Sequence, residues 1–314
     1  MKTTRQNTSR LVMTALVVTG LYLTSPLSFA ADETKQPEPQ KAEPKSEGAK
    51  SVNSEVQSDV EKKAAEKRAQ LLKDAQSALE ETQKAVAALD QGKKDEALAA
   101  LERVTGKLDL IIARDPKLAL APIGVTTIVR DLYSTPEVAK NAVKLAKSCL
   151  SDGNVQQARA LLAVLASEEE VQVSNIPLAT YPAAIKAIAP LIDAGKIEEA
   201  KTALQTALNT IVVESYITPL PKVRVTAMLV AAEKLAKKSG RTAAENQKLH
   251  DLIEDARHEL QLGEVLGYGT KEDYKPFYVM LDEIEKKTEA GNSGEGFFDK
   301  IKASLKNFKD RIAE

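Results

Sequence analysis

Apolar residues recur three and four positions apart along most of this chain, and glycine or proline marks many of the places where the recurrence stops. The clearest stretch runs from Leu178 to Leu220. Pro182 lacks an N–H at a helix start, where none is needed, and Gly195 after Asp193-Ala194 can adopt the left-handed conformation that closes a helix. Ile185, Ile188 and Ile192 share a face before that turn, and Ile197, Ala200, Leu204 and Leu208 share one after it. The spacing predicts an αα-hairpin. A glycine followed by Ala five and Leu nine residues later occurs three times, as Gly92/Ala97/Leu101, Gly153/Ala158/Leu162 and Gly195/Ala200/Leu204. The small Ala lets two helices approach, and the Leu fills the gap one turn on. The glycines are 61 and 42 residues apart, far from the roughly 34-residue period of a regular helical-hairpin array, so the pattern predicts irregular stacked hairpins.

The same periodicity predicts one long helix from Ser54 to Leu89, opened by a Ser54/Gln57 capping box. Its Leu72, Ala75, Leu79, Thr82, Val86 and Leu89 form a heptad seam, either bundle core or a self-association surface. Further helices are predicted from Lys94 to Ala113, Pro136 to Leu150, Val155 to Ala166, Val223 to Lys238, Thr242 to Leu266, and beyond Pro276 to Ala290. Thr135-Pro136-Glu137 supplies a hydroxyl cap, a proline and an acidic first turn, which together make a strong helix start. The runs from Ile123 to Val129, Glu170 to Ile176 and Ile211 to Ile217 read as extended, and the last two flank the central hairpin, where they can pair. The expected fold is mainly α, an irregular helical-hairpin bundle with a small two-stranded β ribbon.

The two ends read differently. Residues 1–30 carry Lys2, Arg5 and Arg10, an apolar run from Leu11 to Leu23, and Ser28-Phe29-Ala30, the layout of an export signal cleaved after Ala30. The run is short for a membrane span, so an uncleaved anchor is the minor reading and the periplasm the expected address. Residues 31–50 are Pro-, Glu- and Lys-rich without a large apolar side chain, and are expected to be a disordered spacer. The helical domain is placed at 51–290, and 291–314 is read as a Gly linker and an amphipathic helix. Phe297, Ile301, Leu305, Phe308 and Ile312 share a face there, suited to docking on the protein's own core or a sister subunit and, as a minor reading, to an acidic lipid surface.

Charge narrows the function classes. Loss of the export signal would lower the 44 Lys plus Arg to 41, against 45 Asp plus Glu, a balance that argues against a nucleic-acid binder. Acid would remove the negative half of that balance, so a change in packing or assembly is expected at low pH. Cys149 is the only cysteine and reads as a buried thiol. His250, Glu254 and His258 fall at i, i+4 and i+8 on one helix. The stripe reads as a salt-bridged face, then as a pH sensor; a metal site would need ligands from elsewhere, and no HExxH is completed. Tyr181, Tyr216 and Tyr268 are candidate linings of a partner groove between hairpins. Gly263, Gly267 and Gly269 do not form GxGxxG, and P-loop and GxSxG motifs are absent. No catalytic, cofactor-binding or metal-binding residue is assigned, and a non-enzyme is expected.

The run PLATYPAAIKAIAPLIDAGKIEEAKTALQTALNTIVVES, the downstream TPLP and the later LGYGTKEDY resemble the YfdX family of secreted enterobacterial stress proteins, over about Leu71 to Glu289. The spacer and the Phe-rich terminal helix depart from that pattern. The resemblance implies a mainly helical periplasmic protein linked to acid and heat tolerance, with chaperone-like behaviour and no catalytic residues. The function expected on these grounds is an ATP-independent holdase that binds unfolded or partly folded periplasmic proteins through helix faces exposed on protonation or heating, acting as a homo-oligomer. A non-catalytic binding module for one defined ligand or protein is the alternative.

Overall fold

A computed structural model describes residues 46–132, 134–289 and 292–308. The predicted export signal, the spacer up to residue 45, and Ile312 lie outside the described residues. In chain order the elements are α1 (Glu47–Ser51), α2 (Asn53–Arg68), α3 (Lys73–Asp90), α4 (Lys94–Arg114), β1 (Leu120–Arg130), α5 (Pro136–Ser151), α6 (Val155–Leu162), β2 (Glu168–Pro177), α7 (Tyr181–Lys186), α8 (Ala189–Asp193), α9 (Ile197–Leu208), β3 (Val212–Pro219), α10 (Leu220–Ala236), α11 (Ala243–Leu266), α12 (Lys271–Thr288) and α13 (Phe297–Asn307). The fold is mainly α, as the periodicity predicts.

Local chemistry explains many of the helix ends. Thr135 accepts the Val138 N–H at 3.3 Å, and Thr242 with Glu245 forms a reciprocal capping box at the start of α11. Gly92, Gly153 and Gly195 have φ of 73°, 76° and 74°, values that a residue with a Cβ adopts only under strain. They turn α3 into α4, α5 into α6 and α8 into α9. Ala97, Ala158 and Ala200, five residues on, are all fully buried.

Four expectations need correction. The helix expected from Ser54 to Leu89 is two helices, because the Leu72 N–H donates to the Pro122 carbonyl at 3.0 Å and the chain turns there. No glycine or proline marks that break; a contact 50 residues away makes it. Ser54 donates to Glu55 and forms no capping box with Gln57. The central hairpin's first arm is likewise split into α7 and α8, where Pro190 enters the first turn of α8 without an N–H to donate. The segment read as a spacer also contains most of a helix, since Ser46 caps α1 and Gly48 and Ala49 are buried.

The ribbon gains a third strand. β2 is central and antiparallel to both neighbours, in the order β1-β2-β3, with Thr127 opposite Val171 and Val171 opposite Tyr216. The register shifts at Pro122 and Gly124, where proline's missing donor is tolerated.

Two apolar clusters result. One joins α3, α4 and α7 to α9 with the Pro177 end of the sheet, through Leu101, Leu108, Ile176, Tyr181, Ile185 and Leu204. The other joins α1, α2 and α10 to α13 through Val52, Met228, Leu229, Ile253, Leu281 and Phe298. The hairpin α5–α6 stands apart from both and leans on α11 through α5.

Candidate functional site

Residues 131–167 leave the end of β1 and return at the start of β2, carrying α5 and α6 between them. The hairpin is thinly packed. Helix α6 buries Ala158 and little else, although helices in proteins owe most of their stability to an apolar face that is covered. Leu145, Leu150, Val155, Leu162 and Val164 are all exposed, Val164 by 63%. This is a concentration of bare aliphatic surface on one supersecondary unit, the kind of feature that marks an interaction site.

A buried polar cluster clamps the base of the hairpin. Arg224 of α10, 3% exposed, donates to Asp131 at one end of the insertion and to Glu259 of α11 at 3.5 Å. Ser167, at the other end, donates its hydroxyl to Asp131 at 3.4 Å and its N–H to the Tyr268 oxygen at 3.0 Å, and its carbonyl accepts the Leu220 N–H at 2.9 Å. Tyr268 donates onward to Glu168 at 2.8 Å. Both feet of the hairpin are thus held by one network reaching into α10 and α11. Burial pushes the Glu259 carboxyl above the usual range, the Asp131 charge pushes it further, and the Arg224 guanidinium opposes both. Its Oε2 has no hydrogen-bond partner among the described residues. Glu169, fully buried beneath α2 with neither carboxylate oxygen bonded, is pushed up by burial as well.

On the solvent side of the sheet the opposite holds. Hydrogen bonds from Gln172, Arg130 and Ser215 hold the Glu170 carboxyl down to about 2. Arg130 lies 2.7 Å from Glu170 and 3.5 Å from Glu168.

The residues singled out by sequence fare unevenly. His250 Nδ1 lies 3.0 Å from Glu285, while Glu254 pairs with Arg257 at 3.0 Å and His258 is exposed without a bonded partner among the described residues. The three do not act on one another; of the stripe, only His250 reaches α12 among the described residues. The tyrosine groove does not form. Tyr181 is fully buried and donates to Thr82 at 3.1 Å, Tyr268 belongs to the clamp, and Tyr216 lies on the sheet under the Lys67 ammonium, 3.4 Å from its ring centre. The terminal helix docks in cis. Ile301 and Leu305 are buried with Phe298, Phe297 is half-buried, and Phe308 packs on the rings of Tyr274 and Phe277. No helix of the described residues is long and apolar enough to cross a membrane, and none of their His, Cys, Asp and Glu groups gathers in a set of three that could hold a metal ion. Sequence reasoning missed Arg224, Asp131, Ser167 and Glu259. The available signal was Arg224 itself, a cation set inside the apolar run from Val223 to Ala232.

Among known families, residues 78–217 match the one described as YfdX protein. No curated protein matches the chain. A crystal structure of YfdX from Salmonella Typhi is similar, at 18% sequence identity over 48% of this chain and 93% of that chain, with a TM-score of 0.33.

Proposed function

Because the chain belongs to the YfdX family through residues 78–217, we propose that it is a periplasmic, ATP-independent holdase that keeps unfolding proteins from aggregating in acid and heat. The observation that carries this reading is the bare aliphatic surface of α5–α6, Leu145, Leu150, Val155, Leu162 and Val164. A passive binder needs no nucleotide site. It needs apolar surface that unfolded chains can reach, on an element whose footing does not give way when the surface is used. The Arg224 cluster supplies that footing.

The reading is tested by heating an aggregation-prone enzyme with the exported chain and following light scattering. The wild-type chain is expected to suppress scattering at near-stoichiometric ratios. A variant with the five aliphatic residues changed to serine should lose at least half of that protection with helical circular dichroism unchanged. Equal protection by both, or none by either, would overturn the assignment.

A further inference from the structure

The three-stranded sheet ends in two different edges. On the β1 side the Pro122 carbonyl accepts the Leu72 N–H at 3.0 Å, and the Ile123 carbonyl accepts the Gln76 side-chain amide at 3.1 Å, so α3 covers part of that edge. On the β3 side the Leu220 N–H donates to the Ser167 carbonyl at 2.9 Å and continues the register that sets Glu168 opposite Pro219. Backbone groups alternate in direction along an antiparallel strand. Val212, Glu214, Tyr216 and Thr218 therefore turn theirs toward β2, and Val213, Ser215 and Ile217 turn theirs outward. Among the described residues no other element bonds to those outward N–H and C=O groups.

Side chains do not protect this edge. Natural edges are blunted with lysine, proline, bulges or short length. Strand β3 has eight residues, no register shift against β2 and no proline before Pro219, and Glu214 is its only charged residue. Val212, Val213 and Tyr216 are exposed, Val213 by 53%. An unpaired edge of this kind is a template for another strand.

Symmetry and charge select which strand. We propose that β3 pairs antiparallel with β3 of a second copy of this chain, about a two-fold axis at Ser215, joining two three-stranded sheets into one. In that register Ser215 faces Ser215 and Val213 faces Ile217, so every outward N–H and C=O of these three residues finds a partner. A register centred on Tyr216 would set Val213 opposite Pro219, which has no N–H, and leave the Val213 carbonyl unmet. A register centred on Glu214 would set two carboxylates face to face.

With Ser215 at the centre, Glu214 of each copy lies opposite Tyr216 of the other. The Lys67 ammonium sits over its own Tyr216 ring, 3.4 Å from the ring centre, and makes no ion pair among the described residues. Glu214 accepts from the Asn175 amide at 3.0 Å, which leaves carboxylate lone pairs for a cation. Each edge thus supplies both halves of a cation–carboxylate contact, as a self-complementary interface requires. An unfolded client strand brings no such match. The bare surface of α5–α6 takes no part, so this proposal and the holdase reading fail separately.

Sedimentation of the exported chain tests it. Wild type is expected to run as a concentration-dependent dimer. Ser215→Pro removes an outward N–H where an edge strand tolerates proline, and should weaken the dimer about tenfold or more with helical circular dichroism unchanged. Lys67→Glu should weaken it too, and Lys67→Glu combined with Glu214→Lys should restore it. In a Cys149→Ala background, Ser215→Cys should form an intermolecular disulfide on mild oxidation, because that residue faces itself with Cα atoms about 5.5 Å apart. Val213→Cys should not. A monomeric wild type, a Ser215→Pro chain that assembles like wild type, or cross-linking through Val213→Cys in preference to Ser215→Cys would overturn the proposal. So would a monomer whose edge takes up an extended apolar peptide instead.

Discussion

Arg224 is the residue on which the hairpin's footing turns, because it is a buried cation that answers both Asp131 and Glu259, whose side chains are largely covered. Removing one member of a buried ionic set costs more than the set contributes, since the remaining charges stay buried and uncompensated. Arg224→Ala is therefore expected to lower unfolding free energy by about 3–5 kcal/mol, measured in urea. Glu259→Gln should behave in the opposite sense. A carboxyl whose folded value is raised contributes stability that is present below the ordinary carboxylate range and is lost as pH rises through the raised value. Neutralising it leaves Arg224 and Asp131 as a matched pair. The variant's melting temperature should exceed or equal that of the wild type at pH 8, with the difference shrinking toward pH 4.5.

At the scale of elements, the three glycine turns share one grammar but not one environment. Leu204 of α9 is fully buried, whereas Leu162 in the same motif position of α6 is 49% exposed. Leu204→Ala should cost about 2–5 kcal/mol through lost burial and a cavity, while Leu162→Ala should lie within about 0.5 kcal/mol of wild type. Chemical denaturation of the two variants side by side checks this, and a large loss in Leu162→Ala would mean that α6 packs more deeply than its exposure implies. The motif was readable in the chain because only glycine relaxes at φ near 75°. Which leucine would be covered was not, since that depends on the helices brought opposite. The β strands show the same division: β-branched runs pointed to all three, but the partner of β1 lies across 37 intervening residues.

For the whole molecule, acid acts through two opposed sets of carboxyls. Glu169 and Glu259, raised by burial, favour the folded chain as pH falls from neutrality. Glu170, held to about 2, and Glu81 and Glu233, lowered mainly by hydrogen bonds from neighbouring side chains, contribute stability that is present above the ordinary value of 4.5 and lost as pH falls through their lowered values. The melting temperature is thus expected to rise from pH 8 into mild acid and to fall again as pH drops below the ordinary carboxylate range toward the value of about 2 held by Glu170. A scan by circular dichroism that declined steadily from pH 8 to pH 4 would contradict it. Mild acid is therefore expected to tighten this scaffold, and client binding there would rely on surface already bare.

What the chain determined alone was local: the caps at Thr135 and Thr242, the glycine turns, the amphipathic faces of α11 to α13, and the mainly helical class, all set by interactions spanning a few residues. Tertiary structure decided the break at Leu72, the third strand, the scattering of Tyr181, Tyr216 and Tyr268, and the meeting of Asp131, Ser167, Arg224 and Glu259. Each depends on groups far apart in sequence, and periodicity carries no information about which distant face a residue will meet.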